Sequence, residues 1–305
     1  MNSKIYKSKI LGVAAVILLS VIWGTNVPYM KVALNFSGPT DFAFLRNFFG
    51  AIILFAILLL LKKPIFIKEA PKLFVLGIFQ TAGFTGLLIW ALVDGGASKT
   101  AVLTFTMPMW VSLMAWPFLQ EKLKLFQWVA VAICFLGIIF IFNPLNIEHN
   151  VNSTILALAS GFCWACGAIL SKRIHIKYPK IDLLTMTAWQ MLWGSLPLLL
   201  IAFLINHEPI IWSYSFLSIL CFNAIFVNAI AYLLWFYALR HLLASTVSML
   251  ALLTPISGAI SAWFLLVEVP NFFESIGFSL ILGGLFLLLY LKSCLLYTSD
   301  SADEP

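Results

Sequence analysis

Apolar runs, broken at short intervals by Lys, Arg, Pro and Gly, fill almost the whole chain. Each is close to the roughly 20 residues that a helix needs to cross a bilayer. The punctuation predicts ten membrane-spanning helices. The first five cover Ile10 to Leu34, Thr40 to Leu61, Lys72 to Val93, Ala97 to Leu119 and Leu125 to Phe142. The second five cover Asn152 to Ser171, Asp182 to Ile205, Ser213 to Leu239, Ala244 to Val267 and Phe273 to Leu291. The connections are too short to hold an extramembrane domain.

Composition agrees with this pattern. The 305 residues are 62% hydrophobic and 10% charged, where soluble domains carry about 25% charged residues. Only lipid solvates so apolar a chain. The basic residues sit between the apolar runs rather than on one folded face, so the net charge of +6 does not indicate nucleic acid. It gives orientation instead, because Lys and Arg beside spans stay on the cytoplasmic side. With residues 1–9 inside, fifteen of the eighteen basic residues fall on the inner side and only Lys31 and Lys99 outside, with Arg46 inside a span. Both termini are expected in the cytoplasm, and the membrane to be the bacterial cytoplasmic membrane. Residues 295–305, polar and acidic without periodicity, read as a disordered tail or a sequencing scar.

Shifted by 147 positions the chain matches itself: Ala97-Ser98 with Ala244-Ser245, Pro108 with Pro255, Ala115-Trp116 with Ala262-Trp263, Glu121 with Glu268, Gly137 with Gly284. Slightly shorter offsets pair Gly50 with Gly194, and Trp23 and Lys31 with Trp164 and Lys172. The halves are residues 10–145 and 152–291. Because five spans is an odd number, the second half enters the membrane from the opposite side. Such inverted repeats hold substrate near the midplane where the halves meet, and exchanging their conformations gives alternating access.

The strings WGTNVPYMKVAL (Trp23 to Leu34) and FLRNFFGA (Phe44 to Ala51), with the duplicated Ala-Ser, Pro and Glu pattern of Ala97 to Glu121 and Ala244 to Glu268, resemble the EamA-type, ten-helix members of the drug/metabolite transporter superfamily. The resemblance implies a transporter, most often an exporter, of amino acids or similar metabolites, with a cavity between the halves. One departure is that Gln190 stands where the second half would repeat Arg46.

Several residues are candidates for lining that cavity. Arg46 is the one basic residue well inside a span, which argues either for a substrate or gating role or for a snorkelling, packing arginine. Trp23, Asn26 and Met30 share a helix face, and Trp164 repeats the tryptophan. They suit an amphipathic ligand or, equally, a lipid-facing ring and an interhelical amide. Gln80 and Trp90 in the third span, Thr104 in the fourth, and Asn223, Asn228 and Tyr232 in the eighth need partners at membrane depth, in a ligand or in other helices. Pro28, Pro108 and Pro255 are expected to break helices, the last two at matching places in the halves.

What is missing narrows the chemistry. No Asp or Glu lies mid-span, which favours a neutral or zwitterionic small-molecule substrate over a cationic drug exchanged for protons. Cys163 and Cys166 form a C-x-x-C inside an apolar helix and read as packing groups. No phosphate-binding loop, metal cluster, cofactor motif or catalytic set is present. A membrane enzyme is therefore the weaker alternative, and an importer or facilitator of the same fold the nearer one. Oligomeric state is not legible.

Overall fold

The computed structural model describes residues 3–119, 125–142, 151–205, 209–242, 247, 250–251, 253–267, 269, 271–273, 275–284 and 286–287. Among these there is no strand, and the helices fall in the order that the apolar runs predict. They are α1 (Ser3–Ala33), α2 (Pro39–Leu60), α3 (Ala70–Asp94), α4 (Ala97–Leu119), α5 (Leu125–Phe142), α6 (Val151–Lys177), α7 (Leu183–Leu204), α8 (Tyr214–His241), α9 (Leu253–Leu266) and α10 (Ser275–Gly284). Seven of them, α1 to α4 and α6 to α8, are long and apolar enough to cross a bilayer. The shorter ones, α5, α9 and α10, border residues outside the description, as do parts of the expected ninth and tenth spans and the whole of the 295–305 tail. The chain is an all-α integral membrane protein. Each helix is apolar on both sides because one face packs inward and the other meets lipid. Leu60, Phe203 and Phe264 stand outward while Leu19, Leu54 and Trp164 are buried.

Two expectations from the sequence are corrected. The sixth span was expected to stop at Ser171, but α6 continues to Lys177, because a helix leaving the membrane keeps its own hydrogen bonds and loses nothing by extending into water. Pro28 was expected to break the first helix. Instead α1 is continuous through it, since a proline removes a single backbone bond and neighbouring helices hold the rest of the helix in place.

The correspondences of the sequence repeat recur as contacts. Lys31 donates to the carbonyl of Gly95 at the end of α3. Lys172 donates to the carbonyls of Leu239 and Leu242 at the end of α8 (3.1 and 3.2 Å). Each ammonium thus satisfies orphan carbonyls and the negative end of a helix dipole. At the crossing of α2 with α8, Gly50 lies against Asn228, and at the crossing of α7 with α3, Gly194 lies against Thr81 and the Gly77 carbonyl. Small residues let backbones approach where no hydrophobic effect drives association. Gly137 of α5 and Gly284 of α10 do the same for each other's helix, with Cys134 donating to the Ile281 carbonyl at 3.7 Å. Across the halves α1 packs on α8 and α9, while α6 packs on α3 and α4.

Outside the membrane, Asp182 caps α7 by accepting from the Thr185 N–H (3.1 Å) and from Lys63 (2.6 Å). Partial burial raises its carboxyl, but the hydrogen bonds from Lys63 and Thr185 outweigh this and hold it below the ordinary 3.8. A depressed folded-state value means stability that is present above pH 3.8 and lost as pH falls through the folded value. Asp182→Ala should therefore cost about 1 kcal/mol at neutral pH. The difference from wild type in thermal unfolding should shrink below that pH.

A methyl group on Gly194 would meet the Gly77 carbonyl and the Thr81 side chain, whereas one on Gly283 meets nothing within 4 Å. Gly194→Ala should lower stability by about 1–3 kcal/mol through overpacking, with Gly283→Ala unchanged or slightly stabilised, as read by melting temperature in detergent.

Candidate functional site

Two spans are wound wider than an α-helix at matching positions. In α3 the stretch Ile78–Gly83 is π-helical, and in α8 so is Asn223–Ile230. Such widened turns inside helices recur at functional sites. Here they present carbonyls to side chains from the opposite half. The Trp23 indole donates to the Val227 carbonyl at 3.0 Å, and the Tyr232 hydroxyl donates to the Gln80 carbonyl at 3.1 Å. Gln80 and Val227 are partners under the 147-residue shift.

These bonds draw an aromatic cluster to the centre. The Trp23 and Trp164 rings meet edge to face with centroids 5.0 Å apart, Tyr232 lies 5.6 and 5.7 Å from the two, and Phe84 lies 4.3 Å from Trp164. Trp235 closes the far side, 5.1 Å from Trp164. A cavity borders this cluster, lined by Trp23, Asn26, Val27, Met30 and Arg46 from the first two helices, Phe84 and Leu88 from α3, and Ala101, Thr104, Phe105 and Met107 from α4. Trp164, Val227 and Tyr232 complete it from the other half. The cavity volume is about 30 Å³, enough for a water or two and too small for an amino acid.

Of the residues singled out in the sequence, Trp23, Asn26, Arg46, Thr104, Trp164 and Tyr232 come together here. Trp23 does not face lipid; it is 8% exposed. Nor does Arg46 snorkel. It is buried, donating from Nη2 to Asn228 Oδ1 (3.0 Å) and resting Nη1 against the Met30 sulfur (2.7 Å), while Asn228 returns a bond to the Arg46 carbonyl (2.6 Å). Three buried polar atoms on this wall lack partners among the described residues: Asn26 Oδ1, Arg46 Nε and Trp164 Nε1.

The other candidates lie elsewhere. The Gln80 side chain is buried against Gly167 of α6 and only its carbonyl reaches the cluster. Trp90 donates to Thr40 of α2 at 3.0 Å. Asn223 donates to the Ile219 carbonyl of its own helix, and Asn228 lies behind Arg46. The fourth span does break, but at Phe105–Thr106, two residues ahead of Pro108, which opens the resumed helix. Pro255 likewise lies in the first turn of α9 after a turn at Ala251. Prolines fit there because a helix's first N–H groups have no partners to lose. Phe84, Leu88, Phe105 and Met107 were not singled out, since apolar residues inside an apolar helix carry no sequence mark.

Relatives fill in the class. The chain is 28% identical over 278 residues to "Uncharacterized transporter YoaV" of Bacillus subtilis, covering 89% of this chain and 94% of that protein. It is 27% identical to "Probable amino-acid metabolite efflux pump" of Salmonella typhimurium, covering 89% and 92%. The corresponding Escherichia coli protein of that name is 26% identical. A solved structure titled "Crystal structure of protein" superposes with TM-score 0.69 over 95% of this chain and 99% of that one, at 15% identity, which speaks to the fold alone. The EamA-like transporter family model matches twice, over residues 10–143 and 152–290, once for each half of the sequence repeat. A multi-pass helical membrane protein matched over nearly its whole length in this way is a transporter rather than an enzyme, and the chain belongs to the EamA-like transporter family.

Proposed function

We propose that the protein is a secondary transporter that exports amino acids or similar small amphipathic metabolites, neutral or zwitterionic, by alternating access. The observation that carries this reading is the narrow central cavity, walled by both halves and combining aromatic rings with a few unpartnered polar atoms. An apolar lining with sparse polar groups suits a ligand with an apolar body and a polar head. Water is excluded to about 30 Å³, so the helices around it must part on one side at a time for substrate to enter and leave. The matching π-helical stretches and the helix interruptions before Pro108 and Pro255 supply backbone that can rearrange at equivalent places in each half. The export direction rests on the relatives named as efflux pumps. The distribution of basic residues beside the spans supports a cytoplasmic position for both termini.

The test is uptake and efflux of radiolabelled amino acids and nucleosides in vesicles holding purified protein, with and without a pH gradient. Saturable flux of one class is expected, reduced tenfold or more in Trp164→Ala. No flux of any compound from vesicles of folded protein would sink the reading. Trp23→Phe keeps an aromatic ring, though a smaller one, and removes the donor to Val227; it should cost about 1 kcal/mol or more of stability and slow flux less than Trp23→Ala. In a background without exposed cysteines, a cysteine at position 99 should react with impermeant thiol reagent from outside cells. One at position 173 should react only after permeabilisation.

A further inference from the structure

From the two halves compared residue by residue, we infer that Arg46 is the anchor for a carboxylate on the substrate. This deepens the transport reading above and rests on it.

The two halves hold the same crossing in two chemistries. On one side Arg46 of α2 bonds Asn228 in the π-helical stretch of α8. On the other, Gln190 of α7 bonds Thr81 in the π-helical stretch of α3. The shifts that relate the halves carry Arg46 onto Gln190 and Thr81 onto Asn228, and Gly50 and Gly194 sit four residues further on in each case. The neutral pair shows that packing this crossing needs a hydrogen bond and no charge. The charge in the first half therefore has another use.

Its surroundings say which. Arg46 is 4% exposed and lines the cavity, as Gln190 does not. A buried guanidinium is costly unless it is paired, yet among the described residues no carboxylate bonds it. Its partners are the amide of Asn228, a weakly accepting thioether and the face of the Phe42 ring, whose centroid is 6.0 Å away. Nε has no partner. The missing group is an anion presented from the cavity, and the planar fork of arginine matches the two oxygens of a carboxylate. The aromatic rings of Trp23, Trp164 and Tyr232 then take the apolar remainder. A ligand with an amine and no carboxylate would bring a second cation next to Arg46 and be rejected. The neutral or zwitterionic class above thus widens to monocarboxylates with an apolar body, with or without an amino group.

The probes are leucine, 4-methylpentanoate and leucinamide, matched in their apolar part. Binding to purified protein is followed by tryptophan emission, since Trp23 and Trp164 border the cavity, and flux is followed separately in vesicles. Wild type is expected to bind leucine and 4-methylpentanoate and to refuse leucinamide. Arg46→Gln copies the residue of the other half, so it should fold, with a wild-type elution profile and melting temperature. It should weaken both carboxylates by about tenfold to a hundredfold, the scale of a charged hydrogen bond. Arg46→Lys keeps the charge without the fork and should fall between. Unchanged leucine affinity in folded Arg46→Gln, or wild type binding leucinamide as well as leucine or binding neither carboxylate, overturns the anchor while leaving a transporter of other compounds intact. Carboxylate binding lost in Arg46→Gln with no flux of any compound supports the anchor and removes the transport reading.

Discussion

In the bilayer interior no water is available to hydrogen-bond the backbone, so every N–H and C=O has to be met from within the protein. That constraint makes the described spans helical apart from the turn at Phe105–Thr106, and it acts most visibly where the helices depart from α geometry. At the π-helical stretches of α3 and α8, carbonyls of Gln80 and Val227 accept from Tyr232 and Trp23. Those two bonds cross between the halves and fix where the central rings lie. The aromatic cluster, the cavity beside it and the position of Arg46 all follow from them.

The duplicated scaffold is not duplicated in chemistry. Close glycine crossings, lysine-capped helix ends and the paired α5 and α10 recur in both halves. At the cavity Trp23 and Trp164 recur, but most of the side chains around them do not. Tyr232 corresponds to Thr85, Trp235 to Leu88, and Arg46 to Gln190. One consequence is that Trp164, the counterpart of Trp23, has no acceptor among the described residues, because Tyr232 donates to the carbonyl that symmetry would give it. On the transport reading proposed above, symmetry supplies two interchangeable arrangements of helices and the asymmetric side chains select the ligand.

How far the sequence could be read depended on the physics behind each residue. The spans and the repeat were legible because hydrophobic length and self-similarity are properties of the chain. Arg46, Trp23 and Trp164 were legible because a charge or a large ring at membrane depth is unusual whatever surrounds it. Trp90 and Asn223 carried the same polar signal but donate to Thr40 and to the Ile219 carbonyl, while the Gln80 side chain lies against Gly167 with neither amide atom bonded among the described residues. Pro28 could not be read correctly, because whether a proline breaks a helix depends on the neighbours that hold the helix on either side.

The amino-acid sequence by itself determined that this protein is a bundle of apolar helices in a membrane, built from two related halves. These are consequences of transfer free energy summed over about 20 residues at a time, and no tertiary contact changes them. The tertiary structure alone decided which polar atoms are paired and which are left facing the cavity. Pairing is set by distances of about 3 Å between residues as far apart as 46 and 228, and by π turns that no residue type announces.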